Sequence, residues 1–97
     1  GVSLEEYQGA YEQMIDELCE NGRKTVVCVG PWKNIQLEPV IRKAAENRNA
    51  IYVSLREIYA DPANHAAAEG KFPKLGDMPG DRGMRKIAEA ILESLVK

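Results

Sequence analysis

The first apolar residues of the chain fall on helical spacing. Leu4, Tyr7, Tyr11, Met14, Ile15 and Leu18 recur every three or four positions, and Ser3 followed three residues later by Glu6 reads as a capping box. The spacing predicts a helix over about 4–20, stopped at Asn21-Gly22, where glycine takes the left-handed conformation without steric cost. The pattern then changes. Thr25-Val26-Val27-Cys28-Val29 is β-branched and apolar on consecutive positions, which is how a strand buried on both faces reads, and it implies a parallel sheet. After Gly30-Pro31 and a polar loop, a second helix is expected over about 38–47. Pro39 suits its first turn, and Val40, Ile41, Ala44 and Ala45 form its apolar stripe. Asn47 to Asn49 end it before a second short strand, about 51–55, with the sequence Ile51-Tyr52-Val53-Ser54-Leu55.

From Arg56 to Gly80 the periodicity loosens into a long connection carrying Asp61-Pro62, Gly70, Pro73, Gly76 and Pro79. A connection of this length in a compact domain has a function or its own short helix, and Ala66-Ala67-Ala68 is where such a turn is expected. Asp81 reads as the cap of a last helix over about 82–96, with Met84, Ile87, Ala88, Ile91 and Leu95 on one face. The class is α/β, in a single unit spanning 1–97. Two parallel strands do not make a stable sheet by themselves, because each needs a ladder neighbour and helices over both faces. Association is therefore expected, with a second copy or with a missing half of the domain.

Composition narrows the functions. A chain of 97 residues holds one modest core, and 44% hydrophobic with 29% charged residues is ordinary for a globular domain. Thirteen Lys and Arg are interspersed among fifteen Asp and Glu, for a net charge of -2, so no nucleic-acid-binding face is expected. The longest apolar run is too short to span a bilayer, so no membrane role is expected, and the N-terminus lacks the order of a signal peptide. Cys19 and Cys28 have no CxxC spacing. They read as small buried hydrophobes kept reduced in a cytoplasmic protein, although a secreted parent with its signal peptide upstream stays open. One histidine and two distant thiols do not make a zinc site, and no metal or other cofactor is expected.

Several stretches carry a resemblance. SLEEYQGAYEQMIDEL, GRKTVVCVGPW, IYVSLREIY and above all MPGDRGMRKIAEAIL resemble the C-terminal half of an SGNH (GDSL-type) hydrolase, a superfamily of esterases and lipases. The most specific part is the closing stretch, which in family members often reads HPNDxGxxxIAxAI and is matched here by Pro79, Asp81, Gly83, Ile87 and Ala88 in one register. The resemblance implies a flavodoxin-like three-layer α/β/α fold, present here in part. It also implies hydrolysis of a small ester, such as an acyl group on a carbohydrate, by a serine nucleophile, an oxyanion hole and a histidine base oriented by an aspartate three residues earlier. The serine, glycine and asparagine blocks of the family would lie upstream of this chain.

The histidine block should be present, and there the chain departs from the family. The register that aligns Pro79, Asp81 and Gly83 places Met78 at the histidine position and Leu75 at the aspartate position. A thioether does not take up a proton at neutral pH. Sliding the register to use Asp77 as the aspartate puts Gly80 at the histidine position. The chain alone is expected to be inactive, and its alternative role is a non-catalytic α/β module that associates through an exposed sheet edge.

Other residues also admit simpler roles. His65, the only histidine, is a candidate base in the loop Asp61-Pro62-Ala63-Asn64-His65, where a solvated loop side chain is the simpler reading. Trp32 follows the first strand, at the end of the sheet where ligands gather in open α/β folds, and is a candidate substrate contact or else a cover for the core edge. Gly80-Asp81-Arg82-Gly83 lacks the glycines and lysine of a phosphate loop and reads as a turn. Asp16, Glu17 and Glu20 read as a solvated face.

Overall fold

The computed structural model describes residues 3–70 and 77–96. It is of mixed α/β class and divides into two compact units, Gly1–Val53 and Ser54–Lys97.

The first unit runs α1 (Leu4–Leu18), β1 (Val27–Val29), a 3-10 turn (Ile35–Leu37), α2 (Glu38–Asn47) and β2 (Ile51–Val53). Its two strands pair in parallel with Val27 opposite Ile51, Cys28 opposite Tyr52 and Val29 opposite Val53. Ser3 caps α1 as its sequence implies, its hydroxyl accepting from the Glu6 amide at 3.1 Å. The helix ends at Leu18, two residues short of expectation. Glu20, Asn21 and Gly22 then take three successive left-handed conformations, so the reversal is spread over three residues and begins before the glycine.

The core of this unit is Ile15, Cys28, Ile41, Ala44 and Ala45, with Tyr7, Tyr11 and Tyr52 packed around it. The stripe of α2 is buried as its spacing implies: Val40, Ile41, Ala44 and Ala45 are all inside. Alanines on that stripe let α1 approach closely, and Ile15 fills the space between, worth about 2 kcal/mol of burial. The stripe of α1 is a correction. Of its six apolar positions Ile15 alone is buried, Tyr7 and Tyr11 are half-buried, and Leu4, Met14 and Leu18 are exposed, because α1 has α2 as its main neighbour.

Both strands are shorter than expected, three residues each, and the burial on both faces expected of β1 is also corrected. Cys28 and Val53 are buried, whereas Val27, Val29, Ile51 and Tyr52 keep part of their surface exposed. Val26 adds a ladder bond by accepting from the Ile51 amide, while Thr25 is exposed. Cys19 is half-buried rather than buried, its thiol directed at the Asp16 carbonyl, and both cysteines are free.

Polar contacts close the outer side of this unit. The Glu12 carboxylate accepts from Gln8 at 3.1 Å and from Asn47 at 3.0 Å, tying α1 to the end of α2. The Asn47 hydrogen bond, more than any other cause, lowers the Glu12 pKa. Asp16, Glu17 and Glu20 are exposed, with Asp16 paired to Arg48 at 3.2 Å and Glu20 to Lys24 at 3.1 Å.

The second unit runs α3 (Arg56–Ala60), 3-10 turns at Pro62–Asn64 and Ala66–Glu69, and α4 (Asp81–Val96). The expected turn at the alanine run is present. Ser54 and Leu55 lie outside β2; Leu55 is buried at the start of α3, where its carbonyl accepts from the Tyr59 amide. In α4 the expected apolar face is largely uncovered. Gly83 is buried, Ile87 and Ile91 are half-buried, and Met84, Ala88 and Leu95 are exposed. The helix packs against the Pro62–Asn64 turn, with Gly83 set against Asn64, and also touches α3.

Candidate functional site

The closing stretch of the chain is held by the short turns before it. Asp61 opens the first turn by accepting from the Ala63 amide at 3.0 Å, and Pro62 occupies the turn's first position, where a missing N–H costs nothing. This delivers Asn64 to the inside, 3% exposed and hydrogen-bonded through both ends of its side-chain amide. Its Nδ2 donates to the Ile58 carbonyl at 2.9 Å, its Oδ1 accepts from Arg82 Nε at 3.1 Å, and its own carbonyl accepts from the Gly80 amide at 2.9 Å. Sequence reasoning did not single out Asn64. The signal was an asparagine two residues after Asp-Pro, a turn motif whose polar side chain is well suited to satisfy backbone groups.

Residues 64–66 and 78–80 then lie side by side. His65 forms an antiparallel bridge with Pro79, and the Met78 carbonyl accepts from the Ala66 amide at 2.9 Å. The two sequence candidates His65 and Met78 thus share one small stretch of paired backbone. Met78 itself is 52% exposed. Leu75 lies outside the described residues. Asp77 is exposed.

His65 is not a loosely solvated loop side chain, which corrects that expectation. It is half-buried, its ring lies 4.8 Å from that of Tyr59 at a tilt of 57°, and its Nε2 donates to the Tyr59 carbonyl at 2.6 Å. A carbonyl only accepts, so Nε2 is the donor in this contact. Tyr59, Pro62, His65, Ala67 and Ala68 line an open hollow of about 420 Å³. Its walls are mostly apolar, and among the described residues no serine, threonine or cysteine lines it. The hollow can receive an apolar group beside an imidazole, but it supplies no alcohol or thiol nucleophile of its own.

The start of α4 is capped from a distance, a second correction. Asp81 is the first residue of the helix rather than its cap, and the Gly80 carbonyl accepts the first helical bond, from the Met84 amide at 2.8 Å. The capping acceptor is Glu69, whose two carboxylate oxygens accept from the Asp81 amide at 3.0 Å and the Arg82 amide at 3.1 Å. A carboxylate there satisfies two orphan donors and sits at the positive end of the helix dipole. Arg82 also approaches Asp61 at 3.7 Å, a half-exposed pair that contributes little by itself. These contacts give the Gly80-Asp81-Arg82-Gly83 stretch a structural role, and its amides already hold a carboxylate where a phosphate would bind.

Trp32 lies in the first unit, half-buried in the loop after β1. Close to the same strand end, Gly30 donates to the Val53 carbonyl at 2.7 Å. Glu38 lies near enough to Tyr52 there for its charge to act on the hydroxyl. Glu38 is 4% exposed and holds Arg42 at 2.9 Å, while the Arg42 guanidinium stands 5.6 Å from the centre of the Tyr52 ring. The Tyr52 hydroxyl is buried and makes no hydrogen bond of good geometry. Burial, then the Glu38 charge, raises its pKa.

Among the described residues no group of three or more His, Cys, Asp or Glu is placed to hold a metal ion, and no helix is long and apolar enough to cross a membrane. Comparison with protein-family descriptions, curated proteins and solved structures finds no match to the chain.

Proposed function

We propose that this chain is the C-terminal portion of an SGNH-type ester hydrolase domain whose base position is held by Met78, and that it does not hydrolyse esters by itself. The observation that carries this reading is the placement of residue 78. Its backbone is paired with Ala66 immediately before a capped helix, and its side chain, a thioether, is exposed and offers no site for a proton at neutral pH. The order helix, parallel strand, helix, parallel strand in the first unit supports a partial flavodoxin-like α/β/α layer structure. Such a sheet is completed by the nucleophile-bearing upstream half, and the completed domain would act on a small ester. Trp32 then lies in a loop after a core strand, suited to contact that substrate.

A second reading, a non-catalytic module that associates through its sheet edge, is favoured by one specific observation. Val27, Val29 and Ile51 keep apolar surface uncovered on strands of three residues, a sheet too small to stand alone. Light scattering tests it: the expected result is association that grows with concentration, and a folded monomer at every concentration tells against it.

The hydrolase reading is tested by joining the chain to the upstream half of an SGNH-type domain and assaying p-nitrophenyl acetate. The unaltered assembly should stay at the buffer rate, and Met78→His with Leu75→Asp should bring hydrolysis. A folded assembly that carries both substitutions and stays inactive overturns the register. Hydrolysis by the unaltered assembly that disappears with His65→Ala would move the base to His65.

A further inference from the structure

We draw no further inference here: the strongest candidate, the exposed apolar stripe of Met84, Ala88, Leu92 and Leu95 along α4, is an unpartnered helix face, and nothing in the structure shows what covers it.

Discussion

The carbonyl oxygen of Asn64 occupies the place that a β-carbon on residue 83 would need, with Pro79 pressing from a second side. Glycine at 83 is therefore a packing requirement of the crossing between α4 and the Pro62–Asn64 turn. The carbonyl in the way is main chain, and its residue is anchored by hydrogen bonds to Ile58, Arg82 and Gly80, so it has little room to yield. Gly83→Ala should cost about 3 kcal/mol, seen as a lower urea midpoint with an unchanged slope. An unchanged midpoint would mean that the turn moves aside freely.

Glu69 is the second anchor of that helix. Glu69→Ala leaves the Asp81 and Arg82 amides without their acceptor and should cost about 1–2 kcal/mol, with Glu69→Gln in between because it keeps an acceptor and loses the charge. Hydrogen exchange is the direct measurement: protection should fall at residues 81 and 82 more than at the far end of α4. Equal loss along the whole helix would argue against a capping role.

At the end of β1, a β-carbon on residue 30 would run into the Tyr52 hydroxyl and ring, so Gly30→Ala should destabilise the first unit by about 1–3 kcal/mol. Tyr52→Phe removes a buried hydroxyl that has no hydrogen-bond partner and should be close to neutral or mildly stabilising. Because one substitution vacates the space the other fills, the pair should be non-additive: Gly30→Ala should cost less in the Tyr52→Phe background. Additive behaviour in thermal melts of the four proteins would show that the clash is with the backbone of β2 instead.

Tyr11 governs the alkaline limit. Burial, followed by the neighbouring Cys28 thiol, pushes its hydroxyl from the ordinary 10.0 up to about 12, and burial likewise raises Cys28 and Tyr52. The folded state thus holds the Tyr11 proton more tightly than the unfolded state does. The resulting stabilisation is complete below pH 10 and is lost as the pH rises towards 12. Absorbance titration of phenolate should show ionisation extending well above the ordinary 10.0, and Tyr11→Phe should remove its latest part while Tyr52 still titrates above the ordinary value. A titration in which every tyrosine ionises near 10 would overturn the assignment.

Local chemistry was enough to place most elements of this protein. Ser3 and Glu6 marked the start of α1, Pro39 and the Val40-Ile41-Ala44-Ala45 stripe marked α2, and the alanine run marked a turn, because caps, prolines and periodicity act within a few residues.

Burial and pairing were decided by neighbours distant in sequence. Met14 and Leu18 read as core positions and stand exposed, since the neighbour that would cover them is not supplied by periodicity alone. Asp81 looked like a cap until Glu69, twelve residues earlier, took the place with both carboxylate oxygens. His65 looked solvated until the Tyr59 carbonyl and the Pro79 bridge held it. A hydrogen bond between residues far apart in the chain leaves no period and no composition signal. Only the folded backbone brings its two ends within hydrogen-bond distance of each other.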